Sequence, residues 1–380
     1  MMSNRAGTYK ANLSGNLQYR SFVPEPLPPE PPLELDDDAL GLLAKANRSI
    51  GILEGLSGQI PDIKRFVSLY VRKEALLSSQ IEGTQATLDD ILDPNLEDNL
   101  NQDIEEVLNY IKATQYGITR LRELPLCNRL IKEIHEVLMS GLRGGEQKPG
   151  EFRRSQNWIG PAGSTINNAI FIPPAIDDLP VVMSDFEKYI NQEDNLDLLV
   201  KIALIHYQFE TIHPFLDGNG RIGRLLINLF LIEKKILSYE TLYISYFLKR
   251  NRIEYYDRLT EVRNKGNYEQ WIKFFLLAVH ESAQDAINTA QELIVLRNRD
   301  LAKLKTLKAV KSTVKVYHYL LQSPIIDITK TASTLNMSYN TTATAVTKLV
   351  ELGILKQTEN VRRNRVFAYE DYLAVLRKDT

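Results

Sequence analysis

The sequence predicts a mainly α-helical protein with one β-hairpin and a separate C-terminal helical domain. Long stretches after Asp36 repeat apolar residues at helical spacing, whereas only residues 155–174 place apolar runs on either side of a turn-forming cluster. The last eighty residues differ from the rest in charge. With 380 residues, 44% hydrophobic and 25% charged, the chain has the profile of a soluble globular protein of two or three domains.

The N-terminal part, to about residue 35, ends in PEPLPPEPP, residues 24–32. Six prolines in nine residues remove backbone donors and favour extended polyproline geometry. We expect an arm lying on the protein surface, with a ligand for another protein's aromatic groove as the alternative.

The clearest helix is PDIKRFVSLYVRKEALLSSQIEGT, in which apolar residues form one stripe. Gly83 suits the position just past the helix end, which places Glu82 in the last turn. Further helices are expected over Asp103–Leu121, Asn128–Ser140, Pro180–Asn191, Leu196–Phe209, Gly218–Lys235, Arg252–Arg263 and Tyr268–Arg299.

The C-terminal eighty residues carry a formal charge of +7, which leaves -9 on the remainder. Their pattern of helix, helix, turn, helix and basic hairpin predicts a winged helix-turn-helix. The expected domains are an N-terminal helical region at 1–110, a central core at 111–299 and this domain at 300–380.

The segment HPFLDGNGRIGR, residues 213–224, lies between two apolar helical runs and therefore predicts a loop that enters a helix. Gly218 and Gly220 allow a tight turn, and the free amides of a helix start favour an anion. Arg221 and Arg224, three residues apart, can both reach a polyanion. The segment is typical of a phosphate site.

Two further residues of this segment suit phosphate chemistry. Asp217 can hold a magnesium ion that bridges phosphates. His213 has the near-neutral pKa wanted of a general base for a hydroxyl nucleophile. A zinc site formed by His206, His213 and Asp217 is the alternative, but no HExxH or equivalent spacing supports it.

Residues 213–224 resemble the Fic family motif, HxFx(D/E)GNGRxxR, at every specified position. The resemblance implies a helical fold that transfers AMP from ATP, with Mg2+, to a Ser, Thr or Tyr hydroxyl of a protein. It implies that His213 deprotonates the acceptor and that Asp217 coordinates magnesium. The expected nucleotide-binding residues here are Gly218, Asn219, Gly220, Arg221, Ile222, Gly223 and Arg224. The kinase-like Doc branch carries Lys at the position of Gly220, and some relatives transfer UMP or phosphocholine.

The resemblance also implies a flap, a hairpin that lies over the active site and clamps an extended target segment. We assign it to Trp158–Pro173, with Ile170 and Phe171 as candidate target or nucleotide contacts. The region of Asn251, Tyr255 and Tyr256 would wall the nucleoside pocket, and Asn251 with Glu254 has the spacing of a capping box.

Residues 78–83, SSQIEG, resemble the (S/T)xxxE(G/N) inhibitory motif of Fic proteins of the second class, with Ser78, Glu82 and Gly83 at its defined positions. By this resemblance Glu82 competes with ATP for Arg224 and misplaces the α-phosphate. Because in-line geometry dominates phosphoryl transfer, such misplacement would stop the reaction.

Two other functions remain open. One is removal of AMP from a modified protein by the same site. The other is a transcription regulator with the Fic core as sensor, in which the C-terminal domain binds DNA through Lys348, Arg362, Arg363 and Arg365. Protein docking or an interdomain role is the alternative for that domain. Self-modification and homodimers are family expectations. A single cysteine, Cys127, and no signal-peptide or membrane-span pattern favour the cytoplasm.

Overall fold

The computed structural model describes residues 4–15, 18–58, 63–96, 99–141, 148–161, 163–306, 309–358 and 365–378. The protein is mainly α-helical, as predicted. The helices are α1 Asp37–Ser57, α2 Ile63–Glu82, α3 Leu88–Leu92, α4 Gln102–Arg120, α5 Asn128–Leu138, α6 Leu179–Asn191, α7 Leu198–Ile212, α8 Asn219–Glu233, α9 Ser245–Arg250, α10 Arg252–Lys265, α11 Tyr268–Thr306, α12 Lys311–Leu320, α13 Ile328–Thr334, α14 Tyr339–Glu351 and α15 Glu370–Leu376.

Two small antiparallel sheets accompany these helices. The first pairs β1, Gly7–Asn12, with β2, Tyr19–Pro24. The second has the order β3-β5-β4 and is built from β3 Ile325–Asp327, β4 Lys356–Gln357 and β5 Val366–Ala368.

Helices α7 and α8 form the centre of the core and carry the motif between them. From Leu199 to Ile212 every residue of α7 is buried, which explains its nearly continuous apolar sequence. Helix α8 is buried from Arg221 to Leu231. Helices α2, α4, α5 and α11 pack around this pair, so the loop between α7 and α8 is held by rigid neighbours.

The N-terminal arm differs from the prediction. Residues 7–12 and 19–24 form the β1–β2 hairpin, with Tyr9 opposite Phe22. The Phe22 ring is fully buried, and its backbone N–H donates to the Ile172 carbonyl at 2.9 Å. The sequence did not reveal this hairpin because its apolar residues are few; tertiary burial of Phe22 stabilises it.

The C-terminal elements follow the predicted order of helix, helix, turn and helix, with Asp327 and Ser338 capping α13 and α14. Arg362 and Arg363 lie outside the described residues. The predicted boundary at 299/300 falls inside α11, and that at 110/111 falls inside α4. Across the described part of the chain, no helix is long and apolar enough to cross a membrane.

Candidate active site

The motif loop begins and ends with left-handed backbone. His213 closes α7 with φ of 50°, and Gly218 precedes α8 with φ of 77°. Glycine adopts this conformation without strain, whereas a histidine there needs support from its surroundings. The segment is the predicted loop entering a helix.

Two side chains hold this loop in place. The Asn219 side chain accepts from the Phe215 N–H and donates to the Phe215 carbonyl, both at 2.8 Å. His135 stacks on the Phe215 ring at 3.7 Å, and its Nε2 lies 3.1 Å from the Asp217 carbonyl. Asn219 therefore braces the loop in this structure, and buried His135 fixes the same loop from α5.

His213 is neutral at physiological pH. Burial, together with the positive charges of Arg263 and Arg153, lowers its pKa to about 4. Its carbonyl accepts from Arg153 Nε at 3.0 Å and from Asn157 Nδ2 at 3.2 Å. The backbone of the candidate base is thus fixed by two residues on the flap side of the site.

Arg224 is 1% exposed and is held by α2. Its Nε donates to Ser78 Oγ at 2.8 Å and its Nη2 to the Ser78 carbonyl at 2.9 Å. Nη2 also donates to Glu82 Oε1 at 2.7 Å. Three residues that the sequence singled out, Ser78, Glu82 and Arg224, therefore meet.

The Glu82 carboxylate also lies against the start of α8. A Cβ added at Gly220 would be 2.2 Å from Glu82 Oε1. Burial raises the pKa of Glu82, but the charge and the hydrogen bond of Arg224, together with the charge of Arg221, outweigh this effect, so the pKa falls below its ordinary value. An ionised carboxylate thus occupies the helix N-terminus where an anion is favoured. Gly83, with φ of 111°, follows as predicted.

Arg221 is 3% exposed and faces a second carboxylate. Its Nη1 is 3.6 Å from Glu106 Oε2 on α4, and its Nη2 is 3.8 Å from Asp217 Oδ1. Its Nε and Nη1 have no hydrogen-bond partner among the described residues. Glu106 Oε2 also accepts from Thr84 Oγ1 at 2.8 Å, just after Gly83.

Asp217 offers an exposed carboxylate beside the cradle, with Oδ1 accepting from the Gly218 N–H at 2.6 Å. Within the described ranges no group of three His, Cys, Asp or Glu residues could hold a metal ion. Magnesium in phosphate sites typically uses one or two carboxylates plus phosphates and water, so a single aspartate fits such an ion.

The flap is less regular than a hairpin. Its described residues contain one bridge, in which the Ile159 N–H donates to the Phe171 carbonyl at 2.8 Å. Ile170 is 70% exposed, whereas Phe171 is buried beneath Arg263, whose guanidinium carbon is 3.9 Å from the ring centre. Only Ile170 of the two candidates presents a free surface.

The α10 candidates separate. Tyr255 is buried, and its hydroxyl lies 2.9 Å from His206 Nε2. Tyr256 is 39% exposed, and its pKa is raised by burial and by Glu82. Asn251 donates to the Phe247 carbonyl and makes no side-chain cap, so the expected capping box is wrong.

The first turns of α8 also contain two buried candidates. Ile222 is fully buried, and the Gly223 carbonyl lies 2.9 Å from His206 Nδ1. A Cβ at Gly223 would be 2.2 Å from Glu210 Oε1. Glu210 is buried, with its pKa raised to about 7 by burial against the opposing charge of Arg224.

Sequence reasoning did not find Arg153, Glu106, Glu210 or Arg263. Glu210 lies three residues before His213, so its position in an otherwise apolar run was the one available signal. The other three are charged residues in polar surroundings, and only the fold brings them to the motif.

The chain matches two protein-family models and is similar in sequence to named proteins. The model described as Fic/DOC family N-terminal matches residues 40–119, and the Fic/DOC family model matches residues 125–231. A Culex quinquefasciatus protein named protein adenylyltransferase Fic is 37% identical over 173 residues, which cover 45% of this chain and 30% of that protein. A probable protein adenylyltransferase of Aquifex aeolicus is 28% identical over 205 residues, covering 52% of this chain and 57% of that one.

The chain thus spans less than two thirds of either relative. Solved structures show the same fold. A Fic family protein from Desulfovibrio desulfuricans has a TM-score of 0.57 at 21% identity, covering 89% of this chain and 97% of its own. A Fic domain containing signaling protein from Bacteroides thetaiotaomicron has a TM-score of 0.51 at 22% identity, covering 67% and 97%.

Proposed function

The chain belongs to the Fic family, and we propose that it is a protein adenylyltransferase that moves AMP from Mg-ATP to a Ser, Thr or Tyr hydroxyl of a target protein or of itself. One observation carries this proposal. A neutral histidine, a helix N-terminus and two buried arginines meet within the single loop and first helical turns of residues 213–224.

His213 serves as the general base. With a pKa of about 4 its ring is free to accept a proton at neutral pH. Because a base of such low pKa is weak, the target hydroxyl must lie within hydrogen-bonding distance of it. The acceptor hydroxyl gives its proton to His213 while its oxygen attacks the α-phosphorus of ATP. The bond from that phosphorus to the bridging oxygen breaks, and pyrophosphate leaves.

The phosphates lie at the start of α8, where Gly218 and Gly220 keep the backbone accessible and the free amides favour an anion. Arg221 has unpartnered nitrogens among the described residues and supplies a buried positive charge. Asp217 would hold magnesium, which when bound offsets phosphate charge. Tyr256, exposed beside this region, is the better placed of the two tyrosines to contact the nucleoside.

Glu82 acts as a brake in this proposal. Its carboxylate takes the Arg224 nitrogen that would otherwise clamp the γ-phosphate, and it stands against Gly220 in the space of the cradle. ATP then binds with its α-phosphate out of line for attack.

Removal of AMP is the second candidate. The ionised Glu82 carboxylate lies inside the site and can orient a water toward an AMP-modified side chain. Release of AMP from a modified target by the wild type, and not by Glu82→Gly, would select this direction.

We propose that the C-terminal domain influences the position of Glu82, and we favour this role over DNA binding. The carbonyl of Lys378 accepts from Lys73 Nζ on α2 at 3.0 Å, and Arg377 makes two 2.9 Å bonds to Asp89. The first contact joins the domain to α2, the helix that carries Glu82, and the second joins it to α3, the next helix along the chain. Salt-sensitive binding to duplex DNA would favour the regulator reading instead.

The test compares wild type, Glu82→Gly and His213→Ala with magnesium and α-labelled ATP, following covalent label on protein. Label with Glu82→Gly that is absent with His213→Ala supports transfer and brake. Equal rates for wild type and Glu82→Gly would contradict the brake, and label with His213→Ala would contradict the assigned base.

A further inference from the structure

A cavity of about 440 Å³ opens at the base of the flap. Helices α5 and α6 and the segments on either side of the flap enclose it. This volume lies within the range of pockets that accept small ligands or single side chains. Much of its wall is apolar, formed by Phe152, Ile176, Leu179, Pro180 and Met183.

The polar part of the wall is predominantly cationic. Lys132 is half-buried on α5, and Arg154 is 72% exposed and pairs with Glu151 at 2.9 Å. The acidic residue of the lining, Glu187, already accepts from the Asn128 N–H at 2.7 Å at the start of α5. An incoming anion would therefore meet a net positive wall.

Arg153 connects this cavity to the reaction site. It is 3% exposed, and burial lowers its pKa to about 10. Its Nε donates to the His213 carbonyl at 3.0 Å and its Nη2 to the Pro174 carbonyl at 2.6 Å. Its Nη1 has no hydrogen-bond partner in the described part of the chain. Arg153 therefore adds a buried positive charge to the wall that Lys132 and Arg154 also line.

We propose that this cavity binds an acidic side chain, next to an apolar one, on the target segment that the flap holds. The apolar wall takes the hydrophobic side chain, while Lys132 and Arg154 meet the carboxylate at the rim. The cavity is lined by residues just before and just after the flap, such as Arg154 and Ile176, so a segment held at the flap has the cavity within reach. This inference rests on the proposed function, because it gives the class of target that the same site accepts.

Arg153 is a positioning residue in this arrangement. It touches the cavity on one side and the backbone of His213 on the other, so an occupant stabilises the wall that holds the candidate base. Target selection and orientation of the base then share one side chain.

The experiment is an NMR titration of the full chain with N-acetyl-Phe-Glu-amide and with its neutral isostere, N-acetyl-Phe-Gln-amide. We expect saturable binding of the acid and a several-fold weaker effect of the isostere. Lys132→Gln and Arg154→Gln should each weaken binding of the acid roughly three- to fivefold, as expected for partly exposed charge pairs. Arg129→Gln is the matched control, because Arg129 is an exposed cation of the same helix outside the cavity.

Equal binding of acid and isostere, absence of binding at millimolar concentrations, or an equal loss in Arg129→Gln would overturn the proposal. A transfer assay uses Glu82→Gly and peptides that carry Phe-Glu or Phe-Gln beside the acceptor hydroxyl. It separates the docking proposal from the proposed AMP transfer. Transfer without preference for the acid removes the docking proposal and leaves AMP transfer standing. Binding of the acid by a Glu82→Gly protein that labels neither the peptides nor itself removes the proposed activity and leaves the cavity's specificity standing.

Discussion

Replacing Glu82 by glutamine removes the charge of the proposed brake and keeps its shape. In the structure Glu82 Oε1 accepts from Arg224 Nη2 at 2.7 Å, and the guanidinium is 1% exposed while the carboxylate side chain is 36% exposed. Glutamine can still accept one hydrogen bond from Arg224. The substitution therefore separates electrostatic competition for Arg224 from simple filling of the cradle.

The expected increase in rate follows from the free energy of the hydrogen bond between Glu82 and Arg224. A hydrogen bond to a charged group contributes about 1.5–3 kcal/mol. Complete loss in Glu82→Gly should thus raise the transfer rate roughly 10- to 150-fold, at one decade for each ~1.4 kcal/mol. Glutamine keeps a hydrogen bond to the charged guanidinium and loses only the ion-pair attraction, about 0.5–1 kcal/mol for a partly exposed pair, so Glu82→Gln should raise the rate roughly two- to fivefold.

The assay is the initial rate of label transfer from α-labelled ATP at saturating magnesium. Glu193→Gln is the control, because it removes an exposed carboxylate that lies before the start of α7, whereas the motif follows the end of that helix. The initial rate is expected to rise from the wild type to Glu82→Gln and again to Glu82→Gly. If Glu82→Gln matched the wild type while Glu82→Gly were fast, occupancy of space and not charge would set the brake, and the reasoning would be refuted.

Three other outcomes are expected. In the uninhibited variant, kcat/KM should stay level from pH 8 to about 5 and halve near pH 4, because the His213 pKa is lowered to about 4; an acid limb near pH 6.5 would contradict the burial of its ring. Glu106→Gln should lower the Kd for ATP roughly three- to fivefold in calorimetry, because it removes a carboxylate that competes for Arg221; an unchanged or higher Kd would count against that competition. Gly223→Ala should destabilise by about 1–3 kcal/mol in chemical denaturation, because its Cβ would lie 2.2 Å from a buried carboxylate oxygen, whereas Gly51→Ala, with open space, should not; equal effects would show that the site relaxes freely.

The sequence predicted the helices and the motif loop because both depend on local patterns. The apolar period of residues 63–82 and the glycine after it located α2 and its end. The β1–β2 hairpin escaped prediction because its stability comes from burial of Phe22 and a backbone bond to Ile172, neither of which is a local property. The capping box failed for a related reason: spacing permits a cap, but Asn251 instead bonds the preceding turn at Phe247.

The site residues that the sequence identified lie in two short motifs, 213–224 and 78–83, and those that it missed lie outside them, including Glu210 three residues before His213. His213, Asp217 and the two arginines share twelve residues, so spacing alone identified them. Glu106 lies on another helix, and nothing in its surroundings in the sequence marks it as the partner of Arg221.

The two acidic contacts at the motif have a common physical basis. Glu82 meets Arg224, Glu106 meets Arg221, and both carboxylates come from helices that precede the motif. The features that would bind a triphosphate, a helix N-terminus and buried guanidinium groups, also bind these carboxylates. A change in residues 213–224 that strengthens phosphate binding therefore also strengthens binding of Glu82 and Glu106. Such a change alone favours neither the phosphates nor the two carboxylates. Movement of α2 would instead shift the competition toward the phosphates. The hydrogen bond from Thr84 to Glu106 links the residues after Glu82 to the second carboxylate. Displacing the end of α2 would thus disturb both contacts together.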